Sequence, residues 1–102
     1  MRTLTLGLLL LATQAHAHGD AAWIAAEPRY KDRAGLHCCG LTDCAVAPRD
    51  AVVRLLDGWR VVATGRVFRD GDPDLYVSID ERIWLCTRAG SDRCLFVPGA
   101  GA

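Results

Sequence analysis

The sequence predicts an α+β to mostly β domain: a short N-terminal helix, an irregular cysteine-rich loop and four to six short strands in antiparallel hairpins. Three observations predict this fold class. The chain begins with a pattern typical of a secretory leader, five cysteines follow it, and β-rich runs alternate with turn segments from residue 52 to residue 97. Small exported domains commonly compensate for a limited core with disulfides, so we expect a disulfide-stabilised domain.

Residues 1–17 have the pattern of a signal peptide. Arg2 precedes an apolar run that ends at Ala12, and Ala15-His16-Ala17 offers a small-x-small cleavage site. The run is too short to span a bilayer, and no later stretch is apolar enough to do so. We expect cleavage after Ala17, or alternatively after Ala15, a single domain over 18–102, and a periplasmic or secreted protein without a transmembrane segment.

The charge balance argues against a nucleic-acid partner. The chain has 12 basic and 12 acidic residues, and loss of Arg2 with the leader leaves 11 basic residues. No basic run provides the positive patch that contacts with phosphates require. The expected partner, if there is one, is therefore another envelope protein.

The first predicted element is a helix of two turns over Asp20–Glu27. Asp20 is a suitable N-cap, Pro28 ends the helix, and Trp23 and Ile24 form its buried side. The charged segment 29–33 that follows is predicted to be a solvated turn.

The strongest local signal is a β-hairpin around Asp57-Gly58. Two β-rich runs flank this dipeptide, which suits a type I′ turn because both central positions of that turn need a positive φ. The register then places Leu56 opposite Trp59 and Val53 opposite Val62.

Three further β segments complete the predicted chain. Residues 66–68 and 75–79 are short strands separated by a turn over 70–74, and residues 82–87 and 93–97 form a last hairpin joined through 89–92. The predicted core residues are Trp59, Val61, Phe68, Val77, Ile83, Leu85, Leu95 and Val97.

Two motifs resemble a known family. They are the stretch His37-Cys38-Cys39-Gly40-x-x-Asp43-Cys44 and the ending Cys94-Leu95-Phe96-x-Pro98. The other shared positions are Trp23, Arg29-Tyr30-Lys31 and Trp84-x-Cys86. On these residues the chain resembles an uncharacterised family of small exported proteobacterial proteins. The resemblance implies an envelope protein of a Gram-negative bacterium and brings no activity with it.

Four of the five cysteines, Cys38, Cys39, Cys44, Cys86 and Cys94, are expected to form two disulfides. Cys38 and Cys39 are neighbours, so one of them is the expected spare thiol. A bridge such as Cys44–Cys86 closes a loop of about forty residues, which the chain-entropy model values at roughly 4 kcal/mol. The local pairs Cys39–Cys44 and Cys86–Cys94 are valued at about 2 to 2.5 kcal/mol, so long-range bridges are favoured.

A metal site is the alternative use of these residues. His37 with Cys38, Cys39 and Cys44 would suit Zn or Cu(I), although adjacent cysteines match tetrahedral spacing poorly. Cleavage after Ala17 would also leave an N-terminal His18 able to chelate Cu(II), with His37 as a further donor. Cleavage after Ala15 would instead place His18 third, where amine, amides and imidazole form a square-planar copper or nickel site. The simplest expectation is that no cofactor is bound.

A calcium site would use Asp70, Asp72, Asp74 and Glu81, which occupy positions 1, 3, 5 and 12 of an EF-hand-like loop. Leu75 stands where the loop needs glycine, and strands flank it where helices are required. The run is therefore interpreted as a solvated acidic turn.

No motif for an enzyme is recognisable, since the Cys-x-x-Cys, Gly-x-Ser-x-Gly, His-Glu-x-x-His and phosphate-loop patterns are all missing from the sequence. An unpaired Cys38 or Cys39 would leave thiol exchange with a partner open. We expect a non-enzymatic, exported binding or structural module. The alternative is a periplasmic copper- or zinc-binding protein.

Overall fold

The computed structural model describes residues 19–40 and 43–99, and the predicted signal peptide and His18 lie outside this part of the chain. The fold is mostly β. A 3₁₀ turn, Gly19–Ala21, leads into a single-turn helix, α1, and a second 3₁₀ turn spans Arg49–Ala51. The elements are α1 Ala22–Ala26, β1 Asp43–Ala47, β2 Val52–Leu55, β3 Gly58–Val61, β4 Val67–Arg69, β5 Leu75–Val77, β6 Ile83–Arg88 and β7 Ser91–Val97.

The strands form two sheets. The larger sheet has the order β1-β6-β7-β5 and the smaller one the order β2-β3-β4. All neighbouring strands are antiparallel except β5 and β7, which run parallel. The predicted antiparallel hairpins are confirmed, whereas the sequence did not predict the parallel pair.

The two central strands, β6 and β7, are apolar on both faces. Successive side chains of a strand point to opposite faces, so the even-numbered Trp84 and Phe96 lie on one face and the odd-numbered Ile83 and Leu95 on the other. All four side chains are buried. This explains the nearly continuous apolar runs in both strands, because a strand covered on both faces shows no polar alternation.

The N-terminal segment covers the first face. Ile24 of α1 and Tyr30 pack there with Trp84 and Phe96, and Trp23 contacts the ring of Phe96 edge-on at a centroid distance of 5.3 Å. Edge-to-face contacts of this kind add to the stabilisation from burial. The prediction that Trp23 and Ile24 form the buried side of the helix is thus confirmed for Ile24, and Trp23 is half-buried.

The smaller sheet covers the second face. Its buried residues Val52, Val61 and Phe68 pack with Ile83 and Leu95. Of the predicted core residues, Val61, Phe68, Ile83, Leu95 and Val97 are buried, and Trp59 and Leu85 are half-buried. Val77 was predicted wrongly, since it is 59% exposed on the edge strand β5.

Two predictions for the N-terminal segment are wrong. Asp20 does not cap α1; its carboxylate accepts a hydrogen bond from Arg82 at 3.1 Å, and the N-cap residue is Ala21. The segment 29–33 is not a solvated turn, because Tyr30 and Asp32 are 4% exposed. The Asp32 carboxylate turns the chain by accepting the N–H groups of Ala34 and Leu36, which is the Asx-turn chemistry that charge counting overlooks.

The first hairpin is present, but its register differs from the prediction. Leu55 lies opposite Gly58, so the two-residue connection is Leu56-Asp57. Gly58 allows the neighbouring strand β4 to approach closely, because a Cβ atom at this position would lie 2.4 Å from the carbonyl oxygen of Phe68. The glycine is thus explained by the close approach of β4 rather than by a positive φ in the turn.

The type I′ turn that was expected in the first hairpin occurs in the last hairpin instead. Ala89 and Gly90 connect β6 to β7 with φ values of 52° and 78°, as a type I′ turn requires. The ladder shifts between Cys86 and Thr87, since Cys86 lies opposite Cys94 and Thr87 opposite Asp92. This β-bulge keeps Cys86 and Cys94 level with each other.

Candidate functional site

Two disulfides join the cysteine-rich segment to the last hairpin. They connect Cys38 to Cys94 and Cys44 to Cys86, over 56 and 42 positions of sequence. Both pairings are long-range, in agreement with the loop-length argument. Cys44, Cys86 and Cys94 stand at one level across β1, β6 and β7, so the bridges occupy one row of the larger sheet.

Among the described residues, Cys39 is the cysteine left without a disulfide. Its Sγ lies 3.1 Å from Sγ of Cys44, which is itself bonded to Cys86. The Cys39 side chain is half-buried, and this burial raises the pKa of its thiol. Burial acts this way because it disfavours the charged thiolate.

His37 fixes the backbone beside the cysteines. Its Nε2 lies 2.8 Å from the carbonyl oxygen of Glu27, and its Nδ1 accepts the backbone N–H of Cys39 at 3.0 Å. With Nδ1 as acceptor, Nε2 carries the proton and donates to Glu27. His37 therefore ties the end of the helical segment to the cysteine stretch.

The residues of the predicted metal site have other partners here. Cys38 and Cys44 are in disulfides, and both ring nitrogens of His37 are hydrogen-bonded. Within residues 19–40 and 43–99, no group of three or more His, Cys, Asp or Glu side chains is arranged to hold a metal ion. A site made of His37, Cys38, Cys39 and Cys44 would need reduced cysteines and a turned imidazole. The copper and zinc hypothesis, including His18, stays a prediction.

The acidic turn that resembled a calcium loop directs its carboxylates to arginines. Asp70 pairs with Arg54 at 3.0 Å, Asp72 lies 3.2 Å from Arg33, and Asp74 lies 2.8 Å from Arg33. The fourth predicted ligand, Glu81, is exposed after the strand β5. The structure brings the three aspartates into ion pairs and does not gather the four carboxylates around one point.

The burial of Asp74 contradicts the interpretation of this run as a solvated acidic turn. This aspartate is fully buried and lies 2.9 Å from Arg66 as well as beside Arg33. Arg66 also donates to the backbone oxygen of Asp92 and lies over the ring of Phe68 at 4.3 Å. These contacts join the acidic turn to both sheets. A possible signal was Arg66 just before a β segment, but arginine is too common on surfaces for that to be diagnostic.

A cleft opens beside the edge strand β5. It has a volume of about 340 Å³. Its lining residues are Arg54, Trp59, Asp70, Gly71, Leu75, Tyr76, Val77, Val97, Pro98 and Gly99. The guanidinium of Arg54 lies 5.3 Å from the ring centre of Trp59, and its hydrogen bonds lower the pKa of Asp70. The cleft thus combines aromatic and aliphatic walls with one charged pair.

Tyr76 connects the cleft to the N-terminal segment. Its hydroxyl oxygen accepts the N–H of Lys31 at 2.9 Å and lies 2.8 Å from the carbonyl oxygen of Lys31. Its ring stacks on Phe96 at 5.2 Å. A displacement of the N-terminal segment would therefore displace Tyr76, which lines the cleft.

Comparison of the chain with protein-family models, with curated proteins and with solved structures found no match. The resemblance seen in the two cysteine motifs stays a prediction. In the described part of the chain, none of the helices has the length and apolar character needed to cross a membrane.

Proposed function

We propose that this chain is a non-enzymatic, disulfide-stabilised module of the Gram-negative cell envelope that binds an extended segment of another protein beside β5. The observation that carries the proposal is the 340 Å³ cleft next to an edge strand of the larger sheet. An open sheet edge beside pockets for side chains is the arrangement by which peptides add a strand to a sheet.

The backbone of β5 supports this mode of binding. The carbonyl oxygen of Asp74 accepts the N–H of Leu95, and the N–H of Ser78 donates to the carbonyl oxygen of Val97. Alternate residues of a parallel strand face the same neighbour, so the backbone groups of Val77 point away from β7, towards the edge that has no strand partner among the described residues. Edge strands of this kind are templates for another chain.

The side chains around the edge also suit a protein segment. Val77 and Ile79 are 59% and 68% exposed, and Trp59 is half-buried at the cleft wall. Aromatic anchors and arginine with a polar rim are typical of protein interfaces. The Arg54–Asp70 pair would then orient the segment while Trp59 and Tyr76 contact its apolar side chains.

The two disulfides support the proposed location in the cell envelope. Bridges of this kind form and persist in oxidising compartments such as the periplasm, and are uncommon in the cytosol. Fractionation of cells, with N-terminal sequencing of the mature protein, tests export and would distinguish cleavage after Ala15 from cleavage after Ala17.

A photo-crosslinking experiment tests the binding surface. A benzoylphenylalanine introduced at Val77 is compared in living cells with the same residue at Val46, an exposed valine on β1 at the opposite edge of the sheet. We expect a defined protein adduct from position 77 that is absent from position 46 and is reduced at least fivefold by Trp59→Ala. Equal adducts from both positions, or none from position 77, would contradict the proposal.

A further inference from the structure

The Cys39 thiol and the Cys44–Cys86 bridge are all the reactants that thiol–disulfide exchange requires. The exchange is the attack of a thiolate on one sulfur of a disulfide. The Sγ atoms of Cys39 and Cys44 are 3.1 Å apart, within the range of a near-attack arrangement of reacting atoms. The site is therefore a group of three sulfurs and not an isolated cysteine.

Three separate parts of the chain hold these sulfurs together. The backbone N–H of Cys39 is bound by Nδ1 of His37, and Cys44 lies on β1 directly opposite Cys86 on β6. The Cys44 sulfur also lies 3.4 Å from the carbonyl oxygen of Cys38. The contact thus follows from sheet register and a fixed turn.

We infer that Cys39 acts as an internal nucleophile that exchanges the Cys44–Cys86 disulfide for a Cys39–Cys44 disulfide. The electron pair of the Cys39 thiolate forms the new S–S bond. The pair of the old bond leaves on the sulfur of Cys86, which takes up the proton that Cys39 gave to solvent. The number of disulfides is unchanged, so neither an oxidant nor a reductant is needed.

The exchange changes which segments of the chain the disulfide of Cys44 joins. The Cys44–Cys86 bond ties the edge strand β1 to the centre of the larger sheet, whereas a Cys39–Cys44 bond would link two nearby residues of one segment. The released thiol would be that of Cys86, which is buried in the core. The chain therefore has a second covalent state in which β1 is held to β6 by hydrogen bonds alone. This inference does not depend on the proposed binding function.

Disulfide mapping of the native protein tests the exchange. The oxidised protein is incubated at pH 8 without added thiols, quenched with acid, labelled with a maleimide in denaturant at acidic pH, and digested without reduction. We expect maleimide on Cys86 together with a Cys39–Cys44 peptide, at least tenfold above the Cys86 labelling in Cys39→Ser. Labelling confined to Cys39, or equal Cys86 labelling in both proteins, would overturn the inference.

A second variant tests whether Cys39 and Cys44 lie close enough to form a disulfide, whatever the equilibrium constant of the exchange. In Cys86→Ser, Cys44 has lost its partner while Cys39 still lies beside it. With oxidised glutathione as the oxidant, we expect this variant to form a Cys39–Cys44 bridge and to have no titratable thiol, and the Cys38–Cys94 bridge reports that the fold is retained. Two free thiols at Cys39 and Cys44 beside an intact Cys38–Cys94 bridge would refute it.

Discussion

The carboxylate of Asp74 lies 2.9 Å from the guanidinium of Arg66, and no part of the Asp74 side chain is exposed. Arg33 approaches the same oxygen from the N-terminal segment at 2.8 Å. A buried carboxylate with two arginine partners is costly to disturb from one side, because the remaining charges lose their compensation.

Asp74→Asn is therefore expected to lower the free energy of unfolding by about 3 kcal/mol, since breaking a buried pair from one side costs roughly 3 to 5 kcal/mol and the amide retains the shape. Urea titration measures the change. The matched control is Asp57→Asn, whose pair with Arg69 at 2.7 Å is largely exposed; exposed pairs contribute about 0.5 kcal/mol. Equal losses of unfolding free energy in the two variants would show that the buried Asp74 pair stabilises the fold no more than an exposed pair does.

Gly58→Ala tests the close approach of β3 and β4. The added Cβ would lie 2.4 Å from the Phe68 carbonyl oxygen, so the backbone must move, and we expect a loss of about 3 kcal/mol. Gly71→Ala is the control, because its φ is +88° and nothing lies within 4 Å of the added atom. That strain alone costs about 1 to 2 kcal/mol. A smaller loss for Gly58→Ala than for Gly71→Ala would contradict the steric explanation.

Asp80 should contribute to stability in a pH-dependent way. Partial burial alone would raise the pKa of its carboxyl, but hydrogen bonds from Ser78, Arg82 and Trp84 outweigh this and lower the pKa to about 2. Its pKa in the unfolded chain is about 3.9. Because the folded value is the lower one, the stabilisation is complete above about pH 5 and is lost as the pH falls through 4 to 2.

The measurement is the difference in unfolding free energy between the wild type and Asp80→Asn. We expect a difference of about 2 kcal/mol at pH 7 that shrinks towards pH 2. A difference that stays constant between pH 7 and pH 2 would mean that the carboxylate charge is not what these hydrogen bonds stabilise.

The two disulfide bridges should contribute nearly equally to the free energy of unfolding. They span 56 and 42 positions, and the chain-entropy model gives about 4 kcal/mol for each, with a difference of roughly 0.3 kcal/mol. The comparison uses Cys38→Ser with Cys94→Ser, and Cys44→Ser with Cys86→Ser, both in a Cys39→Ser background so that exchange cannot occur. Urea unfolding that shows one bridge to contribute less than half of the other would point to native-state effects beyond loop entropy.

Local patterns were sufficient for several parts of the fold. The runs of β-branched and aromatic residues located both hairpins, and adjacency of Cys38 and Cys39 identified where the spare thiol would lie. Loop length favoured the long-range bridges. These inferences succeed because they depend on neighbours in sequence or on chain entropy, both of which the sequence displays.

The failures involve contacts between distant segments. Asp57-Gly58 indicated a turn, but the strand that needs the glycine is β4, which only the folded chain brings there. Tyr30 stood among charges and was still buried, since Phe96 and Tyr76 provide an aromatic surface for it. Likewise, the contact between Cys39 and the Cys44–Cys86 bridge depends on the β1–β6 register, which no local pattern specifies.

The order in which the cysteines are synthesised has a consequence for maturation. Cys38, Cys39 and Cys44 are made well before Cys86 and Cys94, with which the native bridges are formed. A chain that meets an oxidant during synthesis can first form only bridges within the early group, and none of these is native. A chain oxidised at that stage must rearrange its disulfides after the last hairpin is complete, and for such chains we expect the yield in cells to depend on disulfide isomerisation.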